Sequence, residues 1–224
     1  MLDLQGFGSL LLLGAATTLA VALASLIVGL PLGIAGAAAK LGENRWLRGC
    51  AHLYTTIVRG VPDLLIIFVI YFGGTVTLSK LFGRYVEVSA FASGAVALAA
   101  VFGAYGTEIF RGAIQAVPRG QSEAAQALGV SSLRIFLLVI LPQAWRLALP
   151  ALGNQWVILL KQTSLVSIVG LDELMRQSAV AAGATRRPFD VYLAAAAIYL
   201  TLTLVSTLIL EYGERRANRS LARA

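Results

Sequence analysis

Lys161 stands in "LGNQWVILLKQTSLVSIVGL", a run that carries no other charge. A lysine at the middle of a membrane-spanning helix costs about 2.5–3.5 kcal/mol on insertion scales, so such a group faces a bundle interior or a water-filled path. Asn154 lies seven residues earlier and shares its helical face, and Ser164 lies one turn beyond. Pro150 and Gly153 weaken the start of the same helix, as expected where backbone lines a cavity. Two readings stand side by side. In one, Asn154, Lys161 and Ser164 line a translocation pathway, with the ammonium holding a carboxylate. In the other, Lys161 is a structural cation satisfied by a carbonyl or carboxylate of a neighbouring helix.

Glu108 and Arg111 are spaced as an i,i+3 pair at the end of another apolar segment, worth a few tenths of a kcal/mol as a helix contact. A gate-side role for Glu108 is the alternative. Arg59 and Asp63 are four apart in "VRGVPDLL". There a snorkelling arginine with a local partner competes with a place on the pathway. Covalent and metal chemistry find little support. Cys50 is the only cysteine and His52 the only histidine. That rules out an intrachain disulfide and falls short of the roughly four ligands of a zinc site. No Ser/His/Asp constellation and no GxxxxGK[ST] phosphate loop is present. The expectation is a chain that is not an enzyme and holds no metal or cofactor.

These side chains need elements to hold them, and the composition says which. Of 224 residues, 58% are hydrophobic and 13% charged, against about 25% charged in soluble domains. Charge-free stretches run from Asp3 to Lys40, from Glu87 to Glu108 and from Asp190 to Glu211. About 20 apolar residues span a bilayer as helix. We expect an all-α integral membrane protein with five spans, near residues 9–37, 57–78, 90–110, 147–171 and 191–210. The second span's membrane core begins near Leu64. The first is no secretory signal, because it lacks a basic lead and exceeds the roughly 7–15 apolar residues of such segments. Residues 1–224 read as one transmembrane domain.

Orientation follows from the basic residues. Lys40, Arg45, Arg48, Arg59, Arg111, Arg119, Arg134, Arg146, Arg215, Arg216, Arg219 and Arg223 fall on one side. Lys80, Arg84, Arg176, Arg186 and Arg187 fall on the other. The larger set marks the cytoplasm, which puts the N-terminus outside and the C-terminus inside. The net charge of +7 thus reflects membrane topology and not nucleic-acid binding.

The longest cytoplasmic interval, about 111–146, contains "SEAAQALGV". Pro118 and Gly120 break the helix leaving span three. Ser122 is expected as N-cap with Glu123 in the first turn, and Ala124, Ala125 and Ala127 favour helix with little bulk. Gly129 suits a left-handed end. After it, "SSLRIFLLVILP" reads as a second helix closed by Pro142. So short a helix is not stable alone in water and must dock. An interfacial lipid-bound helix would want a large apolar face with basic residues opposite, which these residues do not offer.

Glu123-Ala124-Ala125, three residues, Gly129, nine residues, Val139, one residue, then Leu141-Pro142 resembles the EAA motif of ABC importer permeases, with Val139 where the pattern has Ile. "YTTIVRGVPDLLIIF", "YGTEIFRGAIQAVPRGQ" and "LPALGNQWVILLKQTSLVSIVGL" extend the resemblance over nearly the whole chain, to the polar amino acid branch and its histidine, basic amino acid and opine members. The resemblance implies that Glu123, Ala124, Ala125, Gly129 and Pro142 belong to a cytoplasmic coupling helix and its flank, between spans three and four. It implies a cytosolic ATPase dimer that carries the ATP and Mg, a second permease subunit, alike or homologous, and an extracytoplasmic binding protein. The location implied is the bacterial inner membrane. A secondary transporter driven by an ion gradient is the competing class. Such folds usually show inverted repeats and more spans, and neither is visible.

Overall fold

The computed structural model describes residues 6–218, with side chains to 215. Asp3, Arg219 and Arg223 lie outside the described residues, as does the side chain of Arg216. Every regular element described is helical. In chain order these are α1 (Gly8–Leu41), α2 (Arg45–Gly60), α3 (Asp63–Phe82), α4 (Ala90–Ala116), α5 (Arg119–Ala127) and α6 (Ser132–Ile135). A π-helical turn (Phe136–Ile140) leads into α7 (Leu141–Gln162), then a 3₁₀ helix (Thr163–Val169), α8 (Leu174–Thr185) and α9 (Pro188–Asn218). Five stretches are long and apolar enough to cross a membrane: α1, α3, α4, the continuous run Ser132–Val169, and α9.

The centre of the bundle is α4, whose small residues let α1 lie against it. A Cβ on Gly33 would come within 3.1 Å of the Gly106 carbonyl carbon, and one on Gly29 within 2.9 Å of Ala99 O. Small residues four apart are the usual device for close helix approach in lipid, where hydrophobicity cannot drive association. Around this seam Val21, Leu98, Phe102, Leu159 and Val166 form the main core. The faces of α3 and α9 are mostly exposed on the isolated chain.

Two helices were not expected from hydropathy. Asn44 caps α2, its side chain accepting from the amides of Trp46 and Leu47. Basic and apolar residues alternate along α2, so no apolar run announces it. It lies across α4, where the Tyr54 hydroxyl donates to Ala100 O at 2.6 Å. Burial pushes this phenol up to about 12, which keeps it a donor. The other helix, α8, is capped by Glu173, a fully buried carboxylate that accepts from Arg176 N at 2.8 Å, Thr18 Oγ1 at 3.2 Å and Tyr199 OH at 3.0 Å. It ties α8 to α1 and α9.

Two local expectations are corrected. Ser122 is not the N-cap: α5 begins at Arg119 behind Pro118, whose ψ of 131° is non-helical. Gly120 is inside the helix, and the Ser122 hydroxyl donates back to Arg119 O at 2.8 Å. A proline just before a helix sets the entry angle, and it outweighed the serine. Nor does Pro142 close a helix. The π-helical turn ahead of it shifts the hydrogen-bond ladder, with Leu141 N–H reaching Phe136 O. Proline's missing donor then falls near the start of α7, where helix tolerates it, and the chain stays helical to Val169.

Candidate functional site

The segment that carries the EAA-like spacing is built around the end of α5. Gly129 has φ +76°. Its N–H donates to Gln126 O at 2.9 Å and that of Val130 to Ala125 O at 3.2 Å. This is the Schellman arrangement, which consumes the last carbonyls of the helix. No residue of α5 is buried. Glu123, Ala124 and Gly129 are exposed and Ala125 half-exposed, so the chain's own packing makes no use of the face they present. Pro142 is exposed on the flank of α7.

A second group of residues meets where α2 gives way to α3. Gly60, Val61 and Pro62 interrupt the helix, with Val61 and Pro62 extended (ψ 138° and 133°). Arg59 and Asp63 therefore do not pair with each other, because the break removes the helical register that an i,i+4 contact needs. The Arg59 guanidinium lies 5.1 Å from the centre of the Tyr105 ring on α4, within cation–π range. The Asp63 carboxylate accepts from Gln162 Nε2 on α7 at 2.7 Å. Gln162 Oε1 is buried and unpartnered among the described residues. Beside it in sequence, Lys161 is exposed and its ammonium has no ion pair among them. The structural-cation reading thus finds no partner for it within the described chain.

Glu108 pairs with Arg111 at 2.8 Å and also with Lys40 at the end of α1. Lys40 is nearly buried, at 3% side-chain exposure, and donates to Thr55 Oγ1 at 2.6 Å. The i,i+3 pair is one arm of a knot joining α1, α2 and α4. A cleft of about 420 Å³ opens beside it, lined by Lys40, His52, Thr55, Thr56, Arg59, Gly60 and Glu108.

Asn154 and Ser164 do not join this group. Asn154 is exposed in a cleft of about 280 Å³ between α7 and α9, with Thr207, Glu211 and Glu214. The Ser164 hydroxyl turns back to Lys161 O at 2.7 Å. The chain has by then left α-helical winding for 3₁₀ at Thr163, and the Ser164 hydroxyl is spent on that backbone carbonyl. Lys40, Tyr105 and Gln162 were missed from sequence. Lys40 entered only as the end of a charge-free run and as one of the basic residues, Gln162 was not singled out, and only contacts across helices mark them. Among the described residues no cluster of three metal-ligating side chains occurs.

A family model described as "binding-protein-dependent transport system inner membrane component" matches residues 29–219. An octopine transport system permease protein of Agrobacterium tumefaciens is 45% identical over 224 residues, covering 98% of this chain and 94% of the relative. An arginine ABC transporter permease protein of Haemophilus influenzae is 41% identical over 213 residues, covering 95% and 96%. Among solved structures, an amino acid ABC transporter crystallised with histidines superposes with TM-score 0.86 at 35% identity, covering 96% of this chain and 97% of that one.

Proposed function

The chain belongs to the inner-membrane components of binding-protein-dependent transport systems, the permease subunits of ATP-binding-cassette importers, and we propose that it passes a basic amino acid or an opine inward across the bacterial inner membrane. The names of its relatives, octopine and arginine permeases, support that substrate class. The family sets it apart from carriers driven by an ion gradient. The excess of basic residues on one side supports a cytoplasmic C-terminus.

The observation that carries the mechanism is α5: a nine-residue helix with no buried residue, ended by a closed Schellman turn. A helix this short needs a partner to persist. In our reading Glu123, Ala124, Ala125 and Gly129 seat in a cytosolic ATPase, and a dimer of such ATPases, which binds ATP and Mg, drives two permease subunits. A loaded extracytoplasmic binding protein biases the cycle by preferring one state of the pair, since a ligand shifts an equilibrium only by its differential affinity. This chain performs no covalent step.

Inside the membrane, Lys161 offers an ammonium for a substrate carboxylate. Asp63 and the open Gln162 Oε1 offer acceptors for its cationic groups, and Arg59 and Glu108 flank the inner cleft. Asn154 and Ser164 are kept as secondary wall residues. Co-expression of the chain with its ATPase, binding protein and partner permease, followed by uptake into vesicles, tests the reading. Uptake should follow internal-face ATP and ignore a collapsed proton gradient. Uptake that followed the gradient, or failure of any ATPase to co-purify through α5, would overturn it.

A further inference from the structure

The first half of α2 has no part in the transport cycle described above. The helix joins the end of one membrane-crossing stretch, α1, to the start of the next, α3, so it runs along one boundary of the bilayer. Two contacts hold it there. Thr55 Oγ1 accepts from Lys40 at the end of α1 at 2.6 Å, and the Tyr54 hydroxyl donates to Ala100 O on α4.

At about 100° per residue the side chains of α2 sort into three arcs. Ala51 and Thr55 are buried and Tyr54 and Val58 half-buried, and this arc faces the bundle. Arg45, Arg48, His52 and Arg59 are exposed and share an arc of about 60°. Trp46, Leu53 and Ile57, exposed by 86%, 62% and 53%, share another, centred about 130° from the basic one. The helix contains no acidic residue. Among the described residues Arg45 and Arg48 pair with no carboxylate. Arg48 gives one N–H to Gly42 O at 2.6 Å, which leaves its charge uncompensated.

A basic arc set against an arc of Trp, Leu and Ile is the pattern of a helix lying in the membrane interface, apolar side among acyl chains and basic side among headgroups. Charge and position both favour lipid as the occupant over protein. A two-fold contact with a like permease through this patch would set arginine against arginine, because such an interface uses the same surface on both subunits. A soluble partner would have to cover Trp46, Leu53 and Ile57 at the bilayer edge, where acyl chains already reach. The surface between the arcs also has the right order of chemistry. Arg45, Trp46, Gly49, Cys50 and Leu53 line one groove, and Gly49 forms its floor, since a Cβ there would meet nothing within 4 Å. Such a groove suits a ligand with an anionic head and a hydrocarbon tail, and a guanidinium matches phosphate oxygens two at a time.

We propose that α2 is a binding site for a membrane phospholipid of net negative charge. Its phosphate sits at the Arg45 and Arg48 guanidinium groups, and an acyl chain descends past Gly49 along Trp46 and Leu53.

The test uses the assembled transporter in phosphatidylcholine vesicles doped with a small, equal fraction of either phosphatidylglycerol or phosphatidylcholine bearing the same diazirine-labelled acyl chain. After illumination, labelled peptides are mapped by mass spectrometry. The phosphatidylglycerol-to-phosphatidylcholine labelling ratio over 45–57 should exceed by several-fold the ratio at Val69, an exposed position on α3. Arg45→Gln with Arg48→Gln should bring the two ratios together. Arg45→Lys with Arg48→Lys should keep most of the excess, and high salt should reduce it. If the double glutamine variant does not assemble, Arg45→Gln alone replaces it and should lower the excess. Equal ratios in the parent, an excess that survives the glutamine variant, or a segment that neither lipid labels because a protein covers it, each overturns the proposal. Failure of uptake with the labelling pattern intact would strike at the transport reading alone.

Discussion

Replacing Gly129 separates two ways in which α5 could fail. A Cβ at this position meets nothing within 4 Å, so the cost of a side chain is set by the backbone. An L-residue held left-handed loses roughly 1–2 kcal/mol, with β-branched residues the worst placed and asparagine tolerated. If the turn yields instead, the hydrogen bonds from Gly129 N to Gln126 O and from Val130 N to Ala125 O go with it, at about 1 kcal/mol each. Either route makes Gly129→Val cost about 2 kcal/mol, and at about 1.4 kcal/mol per tenfold that shifts closed against frayed ends by roughly thirty-fold. The helix has no buried side chain to absorb the loss. Gly129→Ala should sit near the lower limit and Gly129→Asn near the parent. The assay is substrate moved per ATP hydrolysed in vesicles, with co-purification of the ATPase measured in parallel. The expected order is parent and Asn together, then Ala, then Val. Full transport by the valine variant would refute the role of α5. Asparagine as harmful as valine would refute the backbone argument and put the defect in a contact with the partner surface.

Other perturbations give different signatures. Glu108→Gln strands the buried Lys40 ammonium and should destabilise by about 3 kcal/mol. Thermal unfolding in detergent measures it, and adding Lys40→Met should restore part of the loss. Glu173→Ala leaves the Thr18 and Tyr199 hydroxyls and Arg176 N–H without their acceptor, at about 1–3 kcal/mol for each buried group. Glu173→Gln keeps one acceptor oxygen and should unfold at an intermediate temperature; equal midpoints would show that the carboxylate does not tie the helices. Lys161→Ala should raise the substrate concentration for half-maximal uptake while basal ATP hydrolysis is unchanged, and an unaltered uptake curve would remove Lys161 from the pathway. Gly33→Val drives a side chain into the Gly106 backbone and should abolish recovery of folded protein, read by size-exclusion chromatography.

Much of the fold was legible because lipid imposes a coarse rule: a spanning helix must be long and apolar, and the five runs that satisfy it are the five found. What hydropathy could not show are α2 and α8, whose residues mix charge with apolar contact and whose caps, Asn44 and Glu173, look like ordinary loop polar residues. The candidate site was legible in part. Asp63 and Lys161 were visible as charges in grease, but Asp63's partner Gln162 is 99 positions away, and no local spacing reports such a contact. Of the two readings of Arg59 and Asp63, the local one does not bring them together because the Gly60–Pro62 break, which periodic reasoning carried straight through, removes their helical register.

Pro142 is the most instructive error because its correction links the two halves of the site. A proline read as a terminator would leave α5 connected to the membrane by a loop, and the displacement proposed for α5 would dissipate there. Instead the π-helical turn absorbs the missing donor, and Ser132 to Lys161 is one helical run of about 44 Å at 1.5 Å per residue. At one end α5 packs on α6 and the π turn; near the other, Gln162 grips Asp63 at the head of α3. If α5 moves as proposed, its displacement would reach Lys161 through continuous helix and not through a loop. The regular ladder is interrupted at Phe136–Ile140 and again at Pro150 inside α7, and these are the points along that run where a bend would fall.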